Sequence, residues 1–321
     1  MRSLLLSIFL LIGVVALSLV SLSIGPAGNL SPLDVARQLV TGNARPILHY
    51  RMLRTLAAII LGAGLASSGL TMQYALRNPM ADPYLLGVSA GAAFGVVVVL
   101  SVSRNPNPLA MYLSGLAWGT IAFLIVVGLG AYMGAGPTSL IVAGVSVGYA
   151  FFGMIILMLA RSPAAQRVNY TWLFGTVAYP TRITLWVTGA VVAASIALMV
   201  ALAPRLYTLV LGDEVSASLG VNVGRLRLAA VSVSSAAASA LVAMAGPVGF
   251  IGLAAPWAVR LAIGSRYLEA LAGSTLLGMI AALGSDIAVR IVGGGAEIPL
   301  TAVTALFGSP VLFYLSRRTG W

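Results

Sequence analysis

Lysine and cysteine are absent from this 321-residue chain, histidine occurs once, and only seven residues are acidic. Each shortage closes a class of function. A P-loop needs the lysine of G-x-x-x-x-G-K-[ST] to reach the β- and γ-phosphates, so the chain is no Walker-type ATPase. With His49 as its single imidazole it lacks the soft and nitrogen ligands that hold zinc, copper, haem iron or iron–sulfur clusters. Any transition metal it handles is therefore expected to travel inside a chelate. Charged side chains make up 8% of the chain, against roughly 25% in soluble domains. With 60% apolar residues and a mean hydropathy of +1.03, this is the composition of an integral membrane protein. The net charge of +11 comes from 18 arginines scattered between apolar runs, not gathered on one polar face, which argues against nucleic acid as a partner.

What the chain does have is apolar sequence in lengths that fit a bilayer. A hydrocarbon core about 30 Å thick takes roughly 20 helical residues, and ten runs qualify between Arg, Pro and Gly punctuation. They cover about 4–24, 53–75, 85–103, 109–133, 138–160, 183–203, 228–246, 249–263, 268–292 and 298–316. The third and the short eighth are rich in Gly or Pro and are expected to be broken or tilted. Ser21-Leu22-Ser23 resembles a cleavage site, but the preceding apolar run is too long for a signal-peptide core, and the first span is read as a retained helix. Ser31-Pro32-Leu33-Asp34 predicts the start of a short amphipathic helix on the membrane surface, with Ser31 as cap and Asp34 in the first turn.

Alternating the loops of ten spans places nine arginines on each side, so the positive-inside rule returns a tie. The longest polar connector of the second half, 204–227, carries Asp213 and Glu214 at the head of a short predicted helix, Gly220 at its end, and then Arg225 and Arg227. It reads equally well as a solvated link or as a docking element. The seventh span, AAVSVSSAAASALVAMA, is rich in residues that let helices approach closely and hydrogen-bond in lipid, which makes it an interior helix of a packed bundle. Asp286 and Arg290 in the ninth span have the spacing and order of an i,i+4 ion pair. No further intramembrane carboxylates continue from Asp286 as a proton relay, which argues against a proton-driven transporter. Met154 and Met158 share a face that reads as packing, and His49, beside Tyr50 and Arg51, reads as interfacial.

Four separated strings are more specific. RMLRTLAAIILGAGLASSGLTMQYALRNPMADPYLLGVSAGAAFG (Arg51 to Gly95), LGDEVSASLGV, GPVGFIGLAAPWAVRLAIG (Gly246 to Gly264) and SDIAVRIVGGGAEIPLTAVTALFGSPVLFYLSRR occur in the order found in the FecCD-type permeases of ABC importers for iron-siderophore, haem and vitamin B12. The chain resembles that family over nearly its whole length.

The resemblance implies an all-α integral membrane fold of about ten transmembrane helices, the type II ABC importer permease bundle, as a single domain over residues 1–321. It implies a cell-membrane location with both termini cytoplasmic, pairing with a second copy around a central path, and no enzymatic activity in this chain. The partners it implies are a cytoplasmic ABC ATPase dimer that uses ATP and Mg, an extracytoplasmic substrate-binding protein, and a metal-chelate substrate. No cofactor or metal is expected on this chain itself. By position, Arg51, Arg54 and Arg290 match arginines that meet carboxylates of the binding protein, a bidentate pairing that fixes orientation. Leu211, Gly212, Asp213, Glu214, Ser216, Leu219 and Gly220 match the element that couples to the ATPase. Asn78, Met80, Thr138 and Ser139 match the cytoplasmic gate, and the fifth span, the tenth span and the segment 169–178 match the path lining. Family members usually carry His where this chain has Trp257, which removes any pH-sensitive role there. Haem, cobalamin and molybdate or tungstate stay open beside ferric siderophores as cargo. An ion-gradient transporter and a non-transporting scaffold are the readings from other classes.

Overall fold

The computed structural model describes residues 2–25, 28–41, 45–103, 105–134, 136–161, 170–264 and 266–318. Among the described residues every regular element is a helix. α1 (Arg2–Ser23) is apolar around its circumference and leaves Leu4, Phe9, Ile12 and Val15 uncovered, a surface suited to lipid. α2 (Pro32–Thr41) starts as its sequence predicts. Ser31 Oγ accepts from the Asp34 amide at 3.1 Å and donates to the Asp34 carboxylate at 2.7 Å.

The bundle is built around α3 (Pro46–Ala75), in which every residue from Leu61 to Ala75 is buried. It packs against α1, α8 (Arg182–Leu206), α10 (Val223–Ala245), α11 (Ile251–Ile263) and α12 (Tyr267–Gly293). Small residues make this crowding possible. A methyl on Gly62 would run into the Gly278 carbonyl of α12, one on Gly278 into the Gly62 carbonyl, and one on Gly69 into the Gly252 carbonyl of α11. Backbone rests directly on backbone at these crossings. α4 (Val88–Val102) lies against both α5 (Pro108–Tyr132) and α6 (Pro137–Arg161), with Phe94, Trp118 and Phe151 meeting at ring-centroid distances of 4.9 to 6.0 Å. α10 joins this layer to α3, as its small residues imply. Its serines do less cross-linking than expected: Ser239 Oγ bonds to the Ser235 carbonyl of its own helix at 2.9 Å. α7 (Tyr170–Leu173) and α9 (Asp213–Ser218) are short, and α13 (Leu300–Arg318) closes the described chain.

Seven described helices are long and apolar enough to span a membrane, and α4, α11 and α13 supply three shorter apolar ones. Together they correspond to the ten runs read from the sequence. Two starts move. α3 begins at Pro46, not 53, and α10 at Val223, not 228, because arginines taken as punctuation lie inside the helices. In α10, Asn222 caps the start by accepting from the Arg225 amide at 3.0 Å, Arg225 points outward, and Arg227 is paired.

The eighth run is short as expected, and the helix of the third is short as well, with 15 residues in α4. Thirteen residues of α11 rise only about 20 Å, so irregular chain completes the crossing at 246–250, and a second irregular stretch, 76–87, precedes α4. Backbone polar groups at membrane depth must find protein partners. The Val248 amide donates to Tyr84 Oη at 3.2 Å, the Thr176 amide to the Ala245 carbonyl at 2.7 Å, and the Leu300 amide to the Gly175 carbonyl at 2.7 Å. Each irregular segment is thus satisfied by another.

Candidate functional site

Three guanidinium groups gather where α1 ends, α3 begins and α12 ends. Arg54 donates Nε to Asp286 Oδ1 at 2.8 Å and its terminal nitrogens to both Glu297 oxygens at 2.7 and 3.2 Å. Arg290, one turn after Asp286, donates Nε to Oδ2 at 2.9 Å and reaches the Ser21 carbonyl at 2.8 Å and the Ser21 hydroxyl at 2.6 Å. The Ser21 hydroxyl also shares a 2.7 Å bond with that of Thr55. Arg51 donates to the carbonyls of Leu22 and Ser23 at 3.1 and 2.8 Å. Asp286 is fully buried, whereas Glu297 keeps a quarter of its side chain exposed. Buried charge is tolerated here because each ion is paired or hydrogen-bonded.

The i,i+4 pair between Asp286 and Arg290 is the one the spacing implies. The protomer structure shows Arg51, Arg54 and Arg290 turned inward, not presented outward as the docking expectation has them. These residues are 2%, 2% and 7% exposed, and they donate to Asp286, Glu297 and main-chain carbonyls. A partner's carboxylate would have to displace bonds that exist. Glu297, Tyr50, Ser21 and Thr55 are the members that the sequence reading missed. Tyr50 Oη accepts from Arg54 at 3.2 Å and donates to the Ala178 carbonyl at 2.8 Å, which ties the cluster to the segment after α7. A usable signal existed: three arginines converging in a chain with seven acids need carboxylates, and Glu297 follows α12 within a few residues.

Twenty-one residues along α3, about 31 Å away and thus about one hydrocarbon thickness, lies the second cluster. The connector read as 204–227 narrows to a 3-10 turn at Tyr207–Leu211, the helix α9, and four residues before α10. Leu211, Glu214, Leu219 and Gly220 are exposed, with Leu211 and Leu219 at 55% and 60%. Gly212 turns the chain with φ +113° and Gly220 ends α9 with φ +79°, conformations open to glycine. Two of the coupling candidates are otherwise engaged. Ser216 is fully buried, its Oγ lying 2.8 and 2.7 Å from the carbonyls of Thr208 and Gly212, so it folds the turn and does not face a partner. Asp213 is held by Arg227 through both carboxylate oxygens, at 2.9 and 2.8 Å. A notch of about 340 Å³ opens beside it, lined by Arg77, Leu211, Gly212, Asp213, Glu214 and Val215.

The gate candidates lie at this same end of α3. Asn78 Oδ1 accepts from the Met80 amide at 2.9 Å, and Met80 is 53% exposed. Thr138 is exposed in the first turn of α6, where Ser139 Oγ donates to the Met133 carbonyl at 2.9 Å. Loop 76–87 leans on α6 so closely that a methyl on Gly144 would strike the Leu85 carbonyl. Within this loop Asp82 accepts from the Tyr84 amide at 2.8 Å.

Of the expected path lining, α6 exposes Tyr149, Phe152 and Leu157, and α13 exposes Leu306, Phe307 and Phe313. The segment 169–178 fits less well. Asn169 lies outside the described residues, and Thr171, Thr176, Val177 and Ala178 are buried in the protomer, which leaves Phe174 as its exposed large side chain. Arg182 donates to His49 Nε2 at 3.2 Å, and Met158 packs on the core. Trp257 is 5% exposed and fills its position by packing within α11. Among the described residues no three His, Cys, Asp or Glu side chains converge as metal ligands.

Comparison with known proteins agrees with this architecture. The model of the FecCD transport family matches residues 11–318. The iron(3+)-hydroxamate import system permease protein FhuB of Bacillus subtilis (strain 168) is 33% identical over 87% of this chain and 73% of its own length. The Fe(3+) dicitrate transport system permease protein FecC of Escherichia coli (strain K12) is 34% identical over 90% of both chains. A solved metal-chelate type ABC transporter in an inward-facing conformation superposes with a TM-score of 0.86, at 25% identity, over 98% of this chain and 99% of that one. The protein belongs to the FecCD transport family.

Proposed function

We propose that this chain is the permease subunit of an ATP-driven importer for a ferric siderophore or related metal chelate. The observation that carries the reading is the arrangement along α3. One end holds a buried cluster of three guanidinium groups against two carboxylates, and the other, about 31 Å away, holds an exposed helix, α9, with bare Leu211, Val215 and Leu219. A membrane domain driven from one side and loaded from the other needs two such ends. The relatives named for ferric hydroxamate and ferric dicitrate support a ferric chelate as cargo.

In this reading the chain forms one permease domain, and two copies face each other through the exposed apolar sides of α6 and α13 with the path between them. α9 and both termini lie in the cytoplasm. A separate ATPase dimer binds ATP and Mg and seats α9, and this chain holds no cofactor. At the outer end, surplus positive charge attracts an acidic binding protein by long-range steering. Asp286 is locked between Arg54 and Arg290, which leaves it unsuited to relay protons.

Reconstitution tests the proposal. In proteoliposomes that contain this chain, its ATPase and its binding protein, radiolabelled ferric hydroxamate or ferric dicitrate accumulates only with ATP and stops when either partner is left out. Uptake that runs without the ATPase on an ion gradient overturns it.

A further inference from the structure

The helix α9 has little apolar anchorage. Ser216 is its buried residue, and that side chain bonds back to Thr208 and Gly212, so α9 and the 3-10 turn before it are folded onto each other. Its lateral hold on the bundle is ionic. Arg227, 5% exposed, grips Asp213 at the head of α9 and donates Nε to the Ala75 carbonyl at 3.0 Å. That carbonyl belongs to the last residue of α3, where helix carbonyls have no partner within the helix, and the residue four positions on cannot supply one. That residue is Pro79, which has no N–H. The carbonyl is thus an open acceptor at the end of α3 that Pro79 cannot satisfy, and Arg227 occupies it, a favourable place for a cation.

Two residues further on, Arg77 adopts φ +48°, and the Asn78 amide donates to the Gln73 carbonyl at 3.2 Å, closing the helix end. Glycine is the usual residue for that left-handed position. Here an arginine holds it, with its guanidinium 3.7 Å from the same Asp213 carboxylate. One carboxylate on α9 thus binds two arginines that bracket the start of loop 76–87. Arg227 fixes the carbonyl before the loop, and Arg77 lies within it. The loop continues through Asn78 and Met80 to its seat on α6.

We infer that Asp213, Arg227 and Arg77 are positioning residues that carry a displacement of α9 into loop 76–87 and so move the cytoplasmic gate. The inference rests on the transport reading above and adds to it the side chains that connect motor to gate. The pair is half-buried, Arg227 at 6% and Asp213 at 43% exposure, and Arg227 holds both carboxylate oxygens while it holds the Ala75 carbonyl, so a pull on α9 reaches the end of α3 through one side chain.

The absence of cysteine allows a direct test. Met80→Cys, at a half-exposed position, gives one spin label per protomer in the assembled complex. The separation of the two labels is then measured with and without ATP, and ferric hydroxamate uptake per ATP hydrolysed is measured in parallel. Arg227→Gln and Arg77→Gly are each introduced on this background. Arg77→Gly keeps the left-handed backbone at lower strain, so it removes the guanidinium without endangering the fold. Expected is a several-fold fall in uptake per ATP and loss of most of the ATP-dependent label shift in both variants, whereas Arg205→Gln, an exposed arginine of α8, behaves as the parent. Equal coupling and equal shifts overturn the link and leave the transport reading standing. So does a proportional fall of uptake and hydrolysis, which marks a structural role alone. A parent whose labels ignore ATP overturns the gate assignment, and a parent that assembles with no ATPase overturns the transport reading itself.

Discussion

Asp286 is the residue on which the arginine cluster depends. It is fully buried and receives hydrogen bonds from Arg54 and Arg290, so Asp286→Asn leaves Arg290 without its counter-charge and Arg54 with Glu297 alone. Removal of one partner from a buried pair costs about 3–5 kcal/mol, and a fall of that size is expected in the unfolding free energy measured in detergent. Glu297→Gln is expected to cost about 1 kcal/mol or less, because water screens that carboxylate and Arg54 keeps Asp286. Equal losses in the two variants would contradict this division of roles. The residue scale is also where sequence reading succeeded and failed most visibly. The pair Asp286 and Arg290 is local, four residues apart on one helix, and was legible. The partnership of Arg54 with Asp286 spans 232 positions and depends on the crossing of α3 and α12, which no local pattern reveals. Arginines judged singly look like surface groups, and only their convergence shows that they neutralise buried acids.

At the scale of elements, the crossing of α3 and α12 is set by Gly62 and Gly278, each of which faces the other's carbonyl. Gly62→Leu is expected to push the helices apart, at about 1–3 kcal/mol where the bundle adapts and with loss of folded protein where it does not. Gly128→Ala on the exposed side of α5, with open space around it, is expected to be neutral or slightly stabilising. Circular dichroism and thermal unfolding of the purified variants separate the two outcomes. Existence and order of all ten apolar helices were legible because apolar run length is a strong signal in a lipid-facing chain. Boundaries were less so at α3 and α10, where arginines within the helix were taken as its end. The segment 170–181, buried at 175–178, was the least legible part. Its partners are the Ala245 carbonyl, the Leu300 amide and Tyr50, all far away in sequence.

For the whole molecule, the arginine cluster has a meaning for manufacture as well as for transport. Ribosomes deliver α3, with Arg51 and Arg54, long before α12 supplies Asp286 and the following loop supplies Glu297. During that interval Arg54 has neither carboxylate, and an unpaired arginine opposes insertion of its helix. Its place near the helix end lets the side chain reach toward the interface while it waits. The same substitution should therefore have opposite effects at two stages of synthesis. In a chain stopped after residue 264, Arg54→Ala is expected to raise the fraction of α3 that is stably inserted, as read by protease protection. In the complete chain it is expected to lower stability. Completion of the last helices is then the event that commits the first ones, and the newborn protein stays editable by membrane proteases until its final quarter has been translated.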